Sequence, residues 1–198
     1  MQKAIQHLRK VDPHLNKITS RISIPTLQWS GDVFEDLVSC ILDMQIRYRG
    51  KAMRYKRLKE LINGERITHY NLFSIREEGF KFINMSSQKY NALMNLCSYW
   101  EAHKLEKTSW QDLSDTDVRE LLINIKGIGN WTIDMILLFT LQRENIVPLD
   151  DFHLKKAVKT IYNIQDDQNL KEEMQYLAED WAPYGSVAVL YLLELTKN

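Results

Sequence analysis

Residues 121–139 read LLINIKGIGNWTIDMILLF, and the reading of this stretch decides the fold. Ahead of it, Ser114 with Asp117 opens a helix whose apolar stripe is Val118, Leu121, Leu122 and Ile125. Lys126-Gly127-Ile128-Gly129 interrupts the periodicity, and an apolar helix from about Asn130 to Leu141 restores it. Two helices joined by so short a glycine turn form a hairpin. Two glycines flanking one apolar residue let the backbone turn sharply and remove side-chain bulk, and Ile128 anchors the turn. N–H groups at the start of the second helix then suit an anion such as a phosphate, bound by shape and without base contacts. A GxG alone is ordinarily a plain turn between antiparallel helices. The flanking apolar helices at fixed offsets make this string far more specific.

The rest of the chain agrees with a helical reading. Seven Gly and four Pro in 198 residues are too few for strands joined by tight turns. Asp32 and Glu35 form a capping-box pattern ahead of Phe34, Leu37, Val38, Ile41 and Leu42, which keep a 3.6-residue period. Further helices are expected over about Lys51 to Leu61, Ser87 to Trp100, and a segment with Leu154, Ala157, Val158 and Ile161 in register. Pro183 is expected in the first turn of a last helix. Hydrophobic residues at 44% and charged residues at 26% exclude a disordered tail, a collagen and a membrane bundle. Two cysteines exclude a disulfide scaffold and a four-cysteine metal or iron–sulfur site. With no signal peptide and no run of 18 apolar residues, a cytoplasmic protein without membrane contact is expected, nucleoid-associated if bacterial. Net charge is zero, yet residues 47–59 (RYRGKAMRYKRLK) hold seven Lys or Arg and no acid, so one face can be positive.

Four stretches together resemble the helix–hairpin–helix DNA glycosylases, from about residue 32 to the C-terminus and in family order. KGIGNWT is similar to the PGIGxWTA form of the alkylbase branch, and VPLDDFHLKK to the family's Asp-bearing segment. DVFEDLVSCILDMQIRYRGKA resembles the early helix ending in a Gln-containing loop, and DWAPYGSVAVLYL the late W-x-P-[aromatic]-x-S-x-A segment. The chain resembles the compact form of the family, which has no N-terminal β domain. The resemblance implies an all-α fold of two helical lobes: residues 30–142 as a helical barrel ending in the hairpin, and residues 1–29 with 143–198 as a second lobe. A cleft between them is expected to hold the site.

The resemblance assigns roles residue by residue. Asp151, two residues before His153, matches the catalytic Asp. Its carboxylate would stabilise positive charge on the deoxyribose and orient the attacking water. One of Asp150 and Asp151 is expected to cap the helix, with Asp151 addressing the cleft. Trp131, Tyr184, Met135 and Trp181 are the candidates for a base pocket, since aromatic faces attract cationic alkylated purines. Bifunctional relatives carry a Lys where this chain has Trp131. That implies hydrolysis without a lyase step. Lys126, Gly127, Ile128, Gly129, Asn130 and Thr132 are the candidates for gripping the DNA backbone, and Gln45, Ile46 and Arg47 for the loop that fills the hole left by the flipped base. The loop departs from the usual Q-Q-x-S at Met44 and Arg47. Backbone carbonyls of Ile123, Ile125 and Gly127 match those that hold a Na or K ion in relatives, and no cofactor is required. The expected substrate is duplex DNA with damaged bases, 3-methyladenine and 7-methylguanine first, acted on by a monomer as the opening step of base excision repair. Alternatives are a non-catalytic DNA-binding module that keeps the hairpin, a helical interaction protein, and a glycosylase for hypoxanthine or an oxidised base.

Overall fold

The computed structural model describes residues 1–23, 31–43, 53–75, 77–165 and 168–197. Twelve α-helices run through the described residues: α1 (Gln2–Val11), α2 (Pro13–Arg21), α3 (Val33–Asp43), α4 (Met53–Leu61), α5 (His69–Ser74), α6 (Glu77–Phe82), α7 (Ser87–Ala102), α8 (Asp115–Ile123), α9 (Asn130–Met135), α10 (Phe152–Ile161), α11 (Leu170–Trp181) and α12 (Gly185–Glu194). No strand occurs among the described residues, so the all-α expectation holds. The chain divides into two compact units, Met1–Leu27 with Gln142–Asn198, and Gln28–Leu141.

In the unit formed by the two chain ends, α12 packs against α1, α2, α10 and α11. Ala188 through Leu193 are all buried, and a helix apolar all round belongs in a core. Asp12 ties this unit together. Its Oδ1 caps α2 by accepting from the N–H groups of His14 and Leu15, at 2.8 and 3.0 Å. Its Oδ2 accepts from the Trp181 indole at 2.8 Å and from the Tyr162 hydroxyl at the end of α10. Burial, then the Asp12 carboxylate, pushes the Tyr162 hydroxyl pKa far above its ordinary range. Pro183 does not enter the last helix. It precedes the N-cap residue Tyr184, in the turn where the Tyr184 N–H donates to the Trp181 carbonyl at 2.9 Å, and the peptide into Pro183 is cis.

In the other unit, α3 packs against α4, α7 and the segment after α9, burying Leu37, Val38 and Leu42 completely. Asp32 Oδ1 accepts from the Glu35 N–H at 3.2 Å, while the Glu35 carboxylate accepts from the Tyr55 hydroxyl of α4. The helix expected from Asn130 to Leu141 is α-helical only as far as Met135 and widens to a π-turn over Ile136–Thr140. There Thr140 Oγ1 donates to the buried Asp36 of α3 at 2.6 Å, a contact that fixes the end of the hairpin's second helix to the core. Cys40 and Cys97 are buried here. Burial raises both thiol pKa values, that of Cys97 to about 12.

Candidate DNA-binding hairpin and catalytic aspartate

The hairpin is built from both sides. Ser114 caps α8 in a full capping box with Asp117, whose carboxyl is held below its ordinary range by the Ser114 hydroxyl. Across the turn, Arg119 of α8 pairs with Asp134 of α9 at 2.6 Å. Within the turn the Ile128 N–H donates to the Ile125 carbonyl at 2.9 Å, and both isoleucines are buried as anchors. Lys126, Gly127, Gly129 and Asn130 are exposed, with Trp131 and Thr132 half-buried.

The two glycines play different parts. Gly127 has φ +104°, and a Cβ there would lie 2.6 Å from Ala92 Cβ of α7 and 3.1 Å from its Cα. Conformation and space both demand glycine at 127. Gly129 has φ −114° and ψ 174°, which any residue adopts, and a Cβ there meets nothing within 4 Å. The expectation that both glycines bend the turn is therefore corrected to Gly127 alone. Gly129 is the N-cap of α9 and brings no side chain to cap it. The helix's first N–H groups, which lack intrahelical partners, are thus left uncovered by a cap residue. α7 is the seat of the turn, because Asn95 Nδ2 also donates to the Lys126 carbonyl at 3.0 Å. Sequence reading passed over Ala92 and Asn95. A small residue and an amide on a helix surface carry no signal until the partner segment is placed against them.

Asp151 ends a turn in which its N–H donates to the Pro148 carbonyl at 2.9 Å. It is the N-cap of α10, its Oδ1 accepting from the Leu154 N–H at 2.7 Å, and it is 6% exposed. The capping residue is thus Asp151 itself, so the two tasks expected of this pair are not divided between its members. Asp150 is exposed and pairs with Lys171 at 3.1 Å and Lys155 at 3.4 Å. Lys171, then Lys155, holds the Asp150 carboxyl below its ordinary range. Phe152 and His153 are exposed on the first turn of α10.

The segment before Asp151 is stitched to the start of α12. Ser186 Oγ accepts from the Ile146 N–H at 2.9 Å and donates to the Arg143 carbonyl at 2.5 Å. The Ser186 N–H donates to the Glu144 carbonyl at 3.0 Å, and the Gly185 N–H to Asn145 Oδ1 at 3.1 Å. A Cβ at Gly185 would come within 2.7 Å of Val147 Cγ2 and 2.8 Å of Asn145 Oδ1. Tyr184, half-buried with its ring edge-on to His7 at 5.5 Å, is held by the same stitching. Trp181 is fully buried and committed to Asp12, so it is a core residue and is removed from the base-pocket candidates. Met135 is buried in the other unit, and Trp131 is half-buried there. Gln45, Ile46 and Arg47, with Met44, lie outside the described residues. Among the described residues no three His, Cys, Asp or Glu side chains group as a metal site, and no helix is long and apolar enough to cross a membrane.

No protein-family model matches the chain. DNA-3-methyladenine glycosylase 1 of Schizosaccharomyces pombe is 24% identical over 166 residues, covering 83% of this chain and 72% of that protein. A shorter match, 41% identical over 80 residues, covers 40% of this chain and 28% of the Bacillus subtilis protein YfjP, so the chain spans well under two thirds of that relative. Among solved structures, the DNA-3-methyladenine glycosidase of Bacillus halodurans is 27% identical, with a TM-score of 0.79 over 98% of this chain and 89% of that one. The S. pombe 3-methyladenine DNA glycosylase Mag1, in complex with abasic DNA, shares the fold with a TM-score of 0.86 at 23% identity, over 99% and 97%. These likenesses support the resemblance to the helix–hairpin–helix DNA glycosylases of the alkylbase branch. The late W-x-P-x-x-S motif acquires a physical meaning here: Trp181 anchors Asp12, and Ser186 fastens the Asp151 segment.

Proposed function

We propose that this chain is a monofunctional DNA glycosylase that hydrolyses the N-glycosidic bond of alkylated purines in duplex DNA, 3-methyladenine and 7-methylguanine first. The observation that carries this is Asp151, a buried carboxylate fixed at the N-cap of α10. An alkylated purine leaves as the C1′–N bond breaks and positive charge grows on the sugar. A fixed carboxylate, with no reorganisation at that moment, stabilises this charge more than a mobile one. Water then adds to C1′ and passes its proton to the carboxylate, leaving an abasic sugar. Trp131, Tyr184 and Met135 are assigned to the extruded base. Trp131 has no amine to attack the sugar, which supports hydrolysis without strand cleavage.

The hairpin is assigned to the DNA backbone, through the exposed Lys126, Gly127, Gly129 and Asn130. The carbonyls of Ile123, Ile125 and Gly127 would hold a Na or K ion. They are neutral oxygens at the negative end of α8, and a carbonyl such as that of Ile125, which already accepts one N–H, has a second lone pair. Such an ion would add positive charge for a phosphate.

The test is base release from methylated duplex DNA by the wild type and by Asp151→Asn, with strand nicking scored without alkali. The expected result is release by the wild type, a loss of about 10²–10³ in the variant, and no nicking. Nicking, or trapping of the protein on DNA by borohydride, would overturn the monofunctional assignment. Intact duplex binding with no base released would favour the binding-module alternative.

A further inference from the structure

We propose that Asn145 is a positioning residue for Tyr184. It caps α12 from a separate segment of chain, so that an aromatic ring can stand at the helix's own capping position. The inference rests on the reading that Tyr184 faces the extruded base.

The N-cap of α12 is Tyr184, whose side chain makes no cap bond. Ser, Thr, Asp and Asn are preferred at such positions because their oxygens satisfy the first N–H groups of the helix. Four of those groups need partners outside the regular helical pattern. Here all four have one without help from the Tyr184 side chain. The Tyr184 N–H donates to the Trp181 carbonyl at 2.9 Å, and the Val187 N–H to the Tyr184 carbonyl at 3.0 Å. The two between them are taken by the segment that leads to Asp151. Asn145 Oδ1 accepts from the Gly185 N–H at 3.1 Å, and the Glu144 carbonyl from the Ser186 N–H at 3.0 Å. Asn145 thus does for α12 what an N-cap side chain ordinarily does for its own helix. Gly185 leaves room for it, since a Cβ there would stand 2.8 Å from Asn145 Oδ1.

These bonds hold Tyr184 on both sides. The Tyr184 N–H fixes the peptide plane before its Cα, and the Gly185 N–H fixes the plane after it. The Cα–Cβ bond of Tyr184 therefore has one direction, and the ring it carries meets His7 edge-on at 5.5 Å. A ring already in place costs little to order when a base arrives, whereas a small misplacement of a contacting group is expensive in rate. The other acceptors in this set are backbone carbonyls, so Asn145 is the one that a substitution removes. Asn145 is exposed, so its contribution is the bond and not packed volume.

The test is a double-mutant cycle on base release from methylated duplex DNA, with enzyme in excess so that a single turnover is read. Asn145→Ala should slow release about tenfold and leave affinity for an abasic duplex, read by fluorescence anisotropy, within about twofold of the wild type. A partly unfolded protein would lose affinity in step with rate. Asn145→Asp, whose carboxylate accepts from the same N–H, should release base at the wild-type rate. Tyr184→Leu, which removes the ring, should itself be slow, and adding Asn145→Ala to it should cost less than about a further twofold, because the residue being positioned is gone. An equal loss in both backgrounds, a loss of affinity in place of rate, or a loss shared by Asn145→Asp would overturn the proposal. So would Asn145→Ala or Tyr184→Leu releasing base as fast as the wild type. A wild type that releases no base defeats the glycosylase reading and this proposal with it, whereas any of the other failures leaves that reading standing.

Discussion

The helices α9 and α10 begin in opposite ways. α9 starts at Gly129, whose backbone is ordinary and whose side chain is absent. α10 starts at Asp151, whose carboxylate closes over the first turn and accepts from the Leu154 N–H. Both ends carry the same partial positive charge. One leaves it uncovered, which suits an external anion such as a phosphate. The other holds its own anion, fixed and buried, for a developing cation. The difference teaches that one physical device, the helix N-terminus, serves two steps of the proposed reaction according to what fills it.

The largest test of this contrast is Asp151→Asn. Asparagine caps nearly as well as aspartate, so the unfolding free energy should stay within about 0.5 kcal/mol while base release falls by about 10²–10³. Asp151→Ala should lose about 1 kcal/mol besides, measured by urea unfolding. Gly129→Asp makes the α9 end resemble the α10 end. The backbone accepts it and the new carboxylate caps, so the fold should be as stable or slightly more so. Affinity for duplex DNA, read by fluorescence anisotropy, should drop at least about tenfold, because like charges now meet. Gly127→Ala tests the bend itself. It should destabilise the protein by about 1–3 kcal/mol through its positive φ and the clash with Ala92.

The smallest effect belongs to Asp150, beside the Asp151 cap. Its carboxyl is lowered by Lys171 and then Lys155, so its contribution is complete above the unfolded-state value and is lost as pH falls through the folded one. Lys171→Met should raise the Asp150 midpoint toward the ordinary range, seen by NMR titration, with little change in stability at neutral pH because the pair is exposed.

The helices were legible because their signals are local. Ser114 with Asp117 predicts a capping box and makes one, and Phe34, Leu37, Val38, Ile41 and Leu42 lie on the buried face that their spacing implies. Capping and periodicity act within one or two turns of chain, so the residues that carry them stand next to each other in the sequence. The family motifs were legible as a pattern, but their physics was not. Nothing local tells that Gly127 must be glycine and that Gly129 is free of steric demand, since the difference is made by Ala92, 35 positions before Gly127. Nor does the string Asp150-Asp151 say which carboxylate caps; Lys171 takes one and Leu154 the other. Trp181 looks like any motif aromatic until Asp12, 169 residues away, is found bonded to its indole. The sequence by itself determined the helices, the hairpin and the family resemblance. Tertiary structure alone decided which glycine bends the chain, which aspartate is held, and which tryptophan belongs to the core, because each of those answers depends on an atom supplied by a distant segment.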